Sequence, residues 1–90
     1  MDAKMARNQV SQYQEEVIKR LDYSKLLAKI DELSKEGYDT LYEFMKYITL
    51  DGDDNLPSFT ERAIVLHLKS EGFKYTHADT CYEDAEYISW

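Results

Sequence analysis

Ninety residues, 43% of them apolar and 32% charged, suffice for a single domain (1–90). A chain this small buries only about 60–65% of its unfolded surface, which argues against a deep pocket. No apolar run approaches the ~18 residues that cross a bilayer, the opening MDAKMARNQVSQ lacks the apolar centre of a secretory signal, and the single Cys81 cannot form an internal disulfide.

The expected compartment is therefore the cytosol. The net charge of −7 is unevenly spread: residues 1–36 hold seven Lys/Arg and seven Asp/Glu, whereas residues 37–90 hold four against eleven. Direct nucleic-acid binding needs a basic footprint to displace counterions, and the second half presents the opposite. Its expected partner is another protein with a basic surface. The plainer reading is that acidic loops keep a small protein soluble.

Along the chain, residues 1–7 are expected to fray. Val10, Tyr13, Val17, Ile18 and Leu21 then fall at helical spacing over 8–21. Leu26, Leu27, Ile30 and Leu33 mark a second helix over 24–36, with Asp22 or Ser24 as its cap and one continuous helix as the alternative. Gly37 is a natural C-terminal stop. DTLYEF restarts the pattern: Thr40 and Glu43 have capping-box spacing, and Leu41, Phe44, Met45 and Ile48 share a helical face. Ser58 and Glu61 form a second capping box after Pro57, opening a helix that Gly72 closes. Its centre, Ala63 to Leu68, is apolar almost all round, as in a central buried helix. After Gly72 the period changes to alternation. FKYTHA puts Phe73, Tyr75 and His77 on one face, and AEYISW puts Ile88 and Trp90 on one face. The expected architecture is α+β: a mostly helical domain of three to four helices with a C-terminal antiparallel β-hairpin.

The stretch LDGDDNLPSFTE resembles an EF-hand loop only at its start. With Asp51 at position 1, Asp53 and Asn55 match positions 3 and 5. Position 6, which needs glycine, holds Leu56, and position 12, which needs a bidentate glutamate, holds Arg62. The stretch therefore reads as a solvated connector with Asp-Gly turn chemistry, and no metal is expected. His77, Asp79 and Cys81 are too few for a structural zinc site. His67 reads as an interior histidine. Cys81 with His77 lacks a third orienting group and an oxyanion hole, and the three glycines are too scattered to cradle a phosphate. No catalytic residue and no cofactor is expected.

Tyrosine is abundant, with eight in ninety residues. Its large ring and polar tip suit both core edges and interfaces. Tyr38, Tyr42 and Tyr82 lie beside acidic residues in polar segments.

The LKSEGFKY junction, a helix running into a hairpin, resembles the end of a winged-helix domain. That resemblance implies a regulatory DNA-binding role, from which RAIVLHLK departs by carrying apolar residues where a reading helix needs polar and basic ones. In size, acidity and tyrosine content the chain is similar to the small acidic inhibitors of phages and mobile elements. That resemblance implies occlusion of a nucleic-acid-binding partner by mimicry. The leading expectation is a non-enzymatic interaction protein whose surface is built from two acidic loops. Asp51, Asp53 and Asp54 supply one; Asp79, Tyr82, Glu83, Asp84 and Glu86 supply the other. The alternatives are a winged-helix-like DNA-binding domain and a structural subunit that forms homo-oligomers through residues 8–36.

Overall fold

Local signals mark several of the helix ends in the computed structural model, which describes residues 1–79 and 84–90. Helix α1 (Ala3–Lys19) starts within the segment expected to fray, because the Asp2 carboxylate accepts the Met5 amide at 2.8 Å. A two-residue strand, β1 (Leu21–Asp22), separates it from α2 (Ser24–Lys35), so the two helices are distinct. Asp22 accepts the Ser24 amide at 2.9 Å, and hydrogen bonding by Ser24 holds its carboxyl below the ordinary aspartate range. At the far end of α2, Gly37 has φ 88°, Tyr38 N–H donates to Leu33 O at 2.9 Å and Gly37 N–H to Ser34 O at 3.1 Å. This is a Schellman stop, as the glycine predicts.

The third helix expected from DTLYEF does not form. Thr40–Tyr42 is instead a strand, β2, Glu43 turns left-handed at φ 53°, and Phe44–Tyr47 make a single 3₁₀ turn before strand β3 (Thr49–Leu50). Thr40 donates its hydroxyl to Asp39 at 3.0 Å rather than capping. Thr, Leu and Tyr suit a pleated, half-buried surface, and pairing with a distant strand outweighs the local helical spacing.

The connector is tighter than a loop. Leu50 and Asp53 exchange both backbone hydrogen bonds, at 2.8 and 2.9 Å, around Asp51 (φ 53°) and Gly52 (φ 85°). Positive φ at both central residues is the type I′ hairpin turn, for which Asp-Gly is a preferred pair. Asp53 then accepts the Asn55 amide at 2.9 Å in an Asx turn.

Helix α3 (Thr60–Ser70) begins without the expected capping box. Glu61 N–H meets the Ser58 backbone carbonyl at 3.3 Å, and Thr60, fully buried, donates its hydroxyl to Pro57 O at 2.6 Å. Nor is α3 buried all round. Ile64 and Leu68 enter the core, whereas Leu66 is 55% exposed and His67 lies at the surface, its ring 4.6 Å from that of Tyr23. The apolar run is wider than the face its neighbours cover.

Strands β4 (Lys74–Asp79) and β5 (Asp84–Ser89) form the expected antiparallel hairpin, with Tyr75 opposite Ile88. Pairing of β2 with β5 adds a third strand, in the order β2-β5-β4, while β1 pairs with β3 as a separate ribbon. The fold is thus α+β, with three α-helices among the described residues. Leu41, Ile88 and Tyr75 make an inner row across the sheet; Tyr42, Tyr87 and Thr76 make an outer one. On the inner side, Leu21, Leu26, Ile30, Phe44, Ile48, Ile64 and Leu68 complete the core.

The molecule is elongated, 54 × 32 × 23 Å, with a radius of gyration of 15.4 Å. A compact chain of this length is expected near roughly 12 Å. Met5, Val10 and Tyr13 on α1 are more than half exposed, and Val17 is the buried residue of that helix.

Because a Cβ at Gly52 meets nothing within 4 Å, substitution there tests the backbone alone. Gly52→Ala is expected to cost on the order of 1 kcal/mol and to lower Tm by about 4–8 °C in thermal unfolding followed by circular dichroism. An unchanged Tm would rule out the type I′ turn as a constraint.

Candidate binding surface

The turn geometry dictates what the connector's carboxylates do. Asp51 lies 3.7 Å from the Arg20 guanidinium, an exposed pair. Asp53 spends one oxygen on the Asn55 amide. Asp54 has no ion-pair partner among the described residues. All three are exposed. Among the described residues no three His, Cys, Asp or Glu side chains converge as a metal-holding group.

Two surface clefts flank this segment. One, of about 320 Å³, is lined by Met45, Leu56, Pro57 and Thr60 with Lys46, Asp54, Ser58 and Glu61 around them. The other, of about 530 Å³, is polar and is lined by Lys25, Thr49, Gly52, Asp51 and Asp53, sharing Lys46 and Asp54 with the first. The Lys46 ammonium lies 3.6 Å from Glu43 and 5.4 Å from the centre of the Tyr47 ring. A third cleft, of about 330 Å³, lies between α2 and α3 against Tyr23, Leu27, His67, Leu68, Glu71 and Phe73.

The second acidic loop is differently placed. Asp79 and Asp84 pair through their backbones at the end of the β4–β5 register. Tyr82, Glu83 and Cys81 lie outside the described residues. Glu86 is half-buried, on the inner row parity of the sheet with Tyr75 and Ile88, and accepts the Tyr75 hydroxyl at 2.9 Å. Burial first, then this hydrogen bond, then the charges of Glu86 and Glu61, push the Tyr75 phenol up to about 12. Burial also raises Tyr23.

The structure thus gathers Asp51 and Asp53 on one turn with Asp54 next to it, and Glu61 shares the first cleft with Asp54. Sequence reasoning spent Glu61 on a cap that does not form and missed Met45, Leu56 and Pro57 as its surroundings. Pro57 was the available signal, because it fixes the chain just before α3. Of the seven described tyrosines, Tyr23, Tyr47, Tyr75 and Tyr87 are half-buried, whereas Tyr13, Tyr38 and Tyr42 are exposed.

Comparison of the chain with family models, curated proteins and solved structures returns no match.

The raised Tyr75 phenol fixes a sign for alkaline stability. The fold favours the neutral form, so this contribution is complete below pH 10, the ordinary tyrosine value, declines above it as the unfolded phenol ionises, and is gone once pH passes about 12. Phenolate absorbance should show late-titrating tyrosine that Tyr75→Phe reduces by one phenol, with a shallower loss of stability over the same interval. A late component undiminished in the Tyr75→Phe variant would contradict the assignment.

Proposed function

We propose that this chain is a small, non-enzymatic protein-interaction module that covers a basic surface of another protein, presenting carboxylates where that partner meets phosphates. One observation carries the reading: Asp51 and Asp53 are displayed on a type I′ turn closed by two backbone hydrogen bonds and Asp54 on the Asx turn that follows, with Asp54 and Glu61 unpaired by any cation among the described residues. A fixed charge constellation loses little entropy on binding and steers a basic partner from a distance. The excess of carboxylates over Lys/Arg in residues 37–90 gives the same sign over the surrounding surface.

A second reading is supported by the topology. The order α2, β2, 3₁₀ turn, α3, then the β4–β5 hairpin, with β2 beside β5, resembles that of winged-helix domains. The exposed side of α3 offers Arg62 and Lys69, but Leu66 sits between them and Glu61 beside them. That composition favours a protein surface over a phosphate backbone.

Capture from source-cell lysate, washed in rising salt, tests the first reading. The expected result is a basic protein released by moderate salt and lost with Asp53→Lys/Asp54→Lys, yet retained with Asp31→Lys on α2. Retention indifferent to reversal at 53 and 54 would overturn it. Duplex DNA titrated at low salt tests the second: binding is expected to be absent, and a salt-sensitive complex weakened by Arg62→Ala and Lys69→Ala would reverse the ranking of the two readings.

A further inference from the structure

We infer that the cleft between the 3₁₀ turn and the start of α3 is a socket for an arginine side chain of the partner, an inference that rests on the acidic-surface reading above. The cleft has two kinds of wall. Met45, Leu56 and Pro57 are half-buried and apolar, and Thr60 behind them has its hydroxyl committed to the Pro57 carbonyl at 2.6 Å. The Thr60 proton is thereby already spent within the protein. Asp54 and Glu61, both exposed, stand at the rim with no ion pair among the described residues. The one cation in the lining is Lys46, whose ammonium is engaged by Glu43 at 3.6 Å and lies by the Tyr47 ring.

An apolar floor beneath two unpaired carboxylates selects the side chain that is flat, weakly hydrated and permanently positive. The guanidinium meets all three conditions and presents donors in a fork to carboxylate oxygens. An ammonium is a compact, strongly hydrated charge that loses more by leaving water over such a floor. The volume of about 320 Å³ leaves room for the methylene stem as well as the head group. The backbone around the socket is fixed. The type I′ turn fixes Asp53, the Asx turn fixes the chain to Asn55, and Pro57 and buried Thr60 fix the far wall. The polar second cleft, which shares Asp54 and Lys46, continues the track for a bound segment past the socket.

The test is a titration of the isotope-labelled chain with N-acetyl-arginine amide, followed by amide chemical shifts, beside the same titration with N-acetyl-lysine amide. Saturable shifts confined to residues 45–46 and 54–61 are expected with the arginine probe. Glu61→Gln and Asp54→Asn, exposed substitutions that leave the core intact, should each weaken it on the order of three- to tenfold. Asp31→Asn on α2 should leave it unchanged. Shifts that do not saturate, that spread over the surface, or that are matched by the lysine probe overturn the socket. Should arginine fail to seat while charge reversal at 53 and 54 still abolishes partner capture, the socket falls and the acidic-surface reading stands. Should arginine seat while capture ignores that reversal, the socket stands without the occlusion role.

Discussion

Strand β5 has to pair on both edges at once. It lies between β2 and β4, and its Ile88 is fully buried between Leu41 on one side and Tyr75 on the other. Full burial of side chains of this kind stabilises by about 1.5–3 kcal/mol each relative to exposure. The Trp90 amide, one residue past the strand, donates to Asp39 O at 3.0 Å and prolongs the β2 pairing. Much else follows from this arrangement. Residues 40–42 are drawn out of helical geometry, so Glu43 must reverse the chain, and the 3₁₀ turn that follows drops Phe44 into the core against Tyr75, ring centroids 6.0 Å apart. The chain then returns through β3 and the hairpin turn to reach the start of α3.

The sequence patterns that proved reliable were those enforced by covalent geometry. Gly37 and Gly72 end their helices with left-handed backbones, φ 88° and 95°, and the period-2 alternation after Gly72 does mark a hairpin with Tyr75 and Ile88 on one face. The patterns that misled were those in which a short-range preference competed with a long-range partner. Thr40 and Glu43 had capping spacing, but β5 needed an edge. Ser58 and Glu61 had it too, but the Thr60 hydroxyl reached the Pro57 carbonyl instead. His67 read as interior because its neighbours are apolar, yet the helical period turns it toward Tyr23 at the surface. The site was legible as charge and not as shape: spacing locates Asp51, Asp53 and Asp54, but no periodicity brings Met45 alongside Leu56 and Glu61.

Charge in this chain is organised by turn geometry more than by ion pairing. The salt bridges on α2, Lys29–Glu32 and Lys35–Asp31, are surface pairs one turn apart, the kind that contributes a few tenths of a kcal/mol each. The acids of the connector are held in place by backbone and Asx hydrogen bonds, which salt does not screen. Their arrangement therefore persists at ionic strengths that weaken their attraction for a partner.

Helix α1 brings a different consequence. Its last turn is anchored through Val17 and Ile18, and Tyr13 meets Phe59 edge-on at 6.2 Å, but the turns before that extend past the body of the domain. Those turns are held by local bonds, the Asp2 cap and the Arg7 side chain on the Ala3 carbonyl among them. Val17 is packed in the interior whereas Asn8 is exposed, so local opening costs less at the start of the helix than at its end. One continuous helix thus spans two regimes of stability. Substitutions at its exposed positions before Tyr13, such as Met5 and Val10, therefore bear on the helix itself more than on the core.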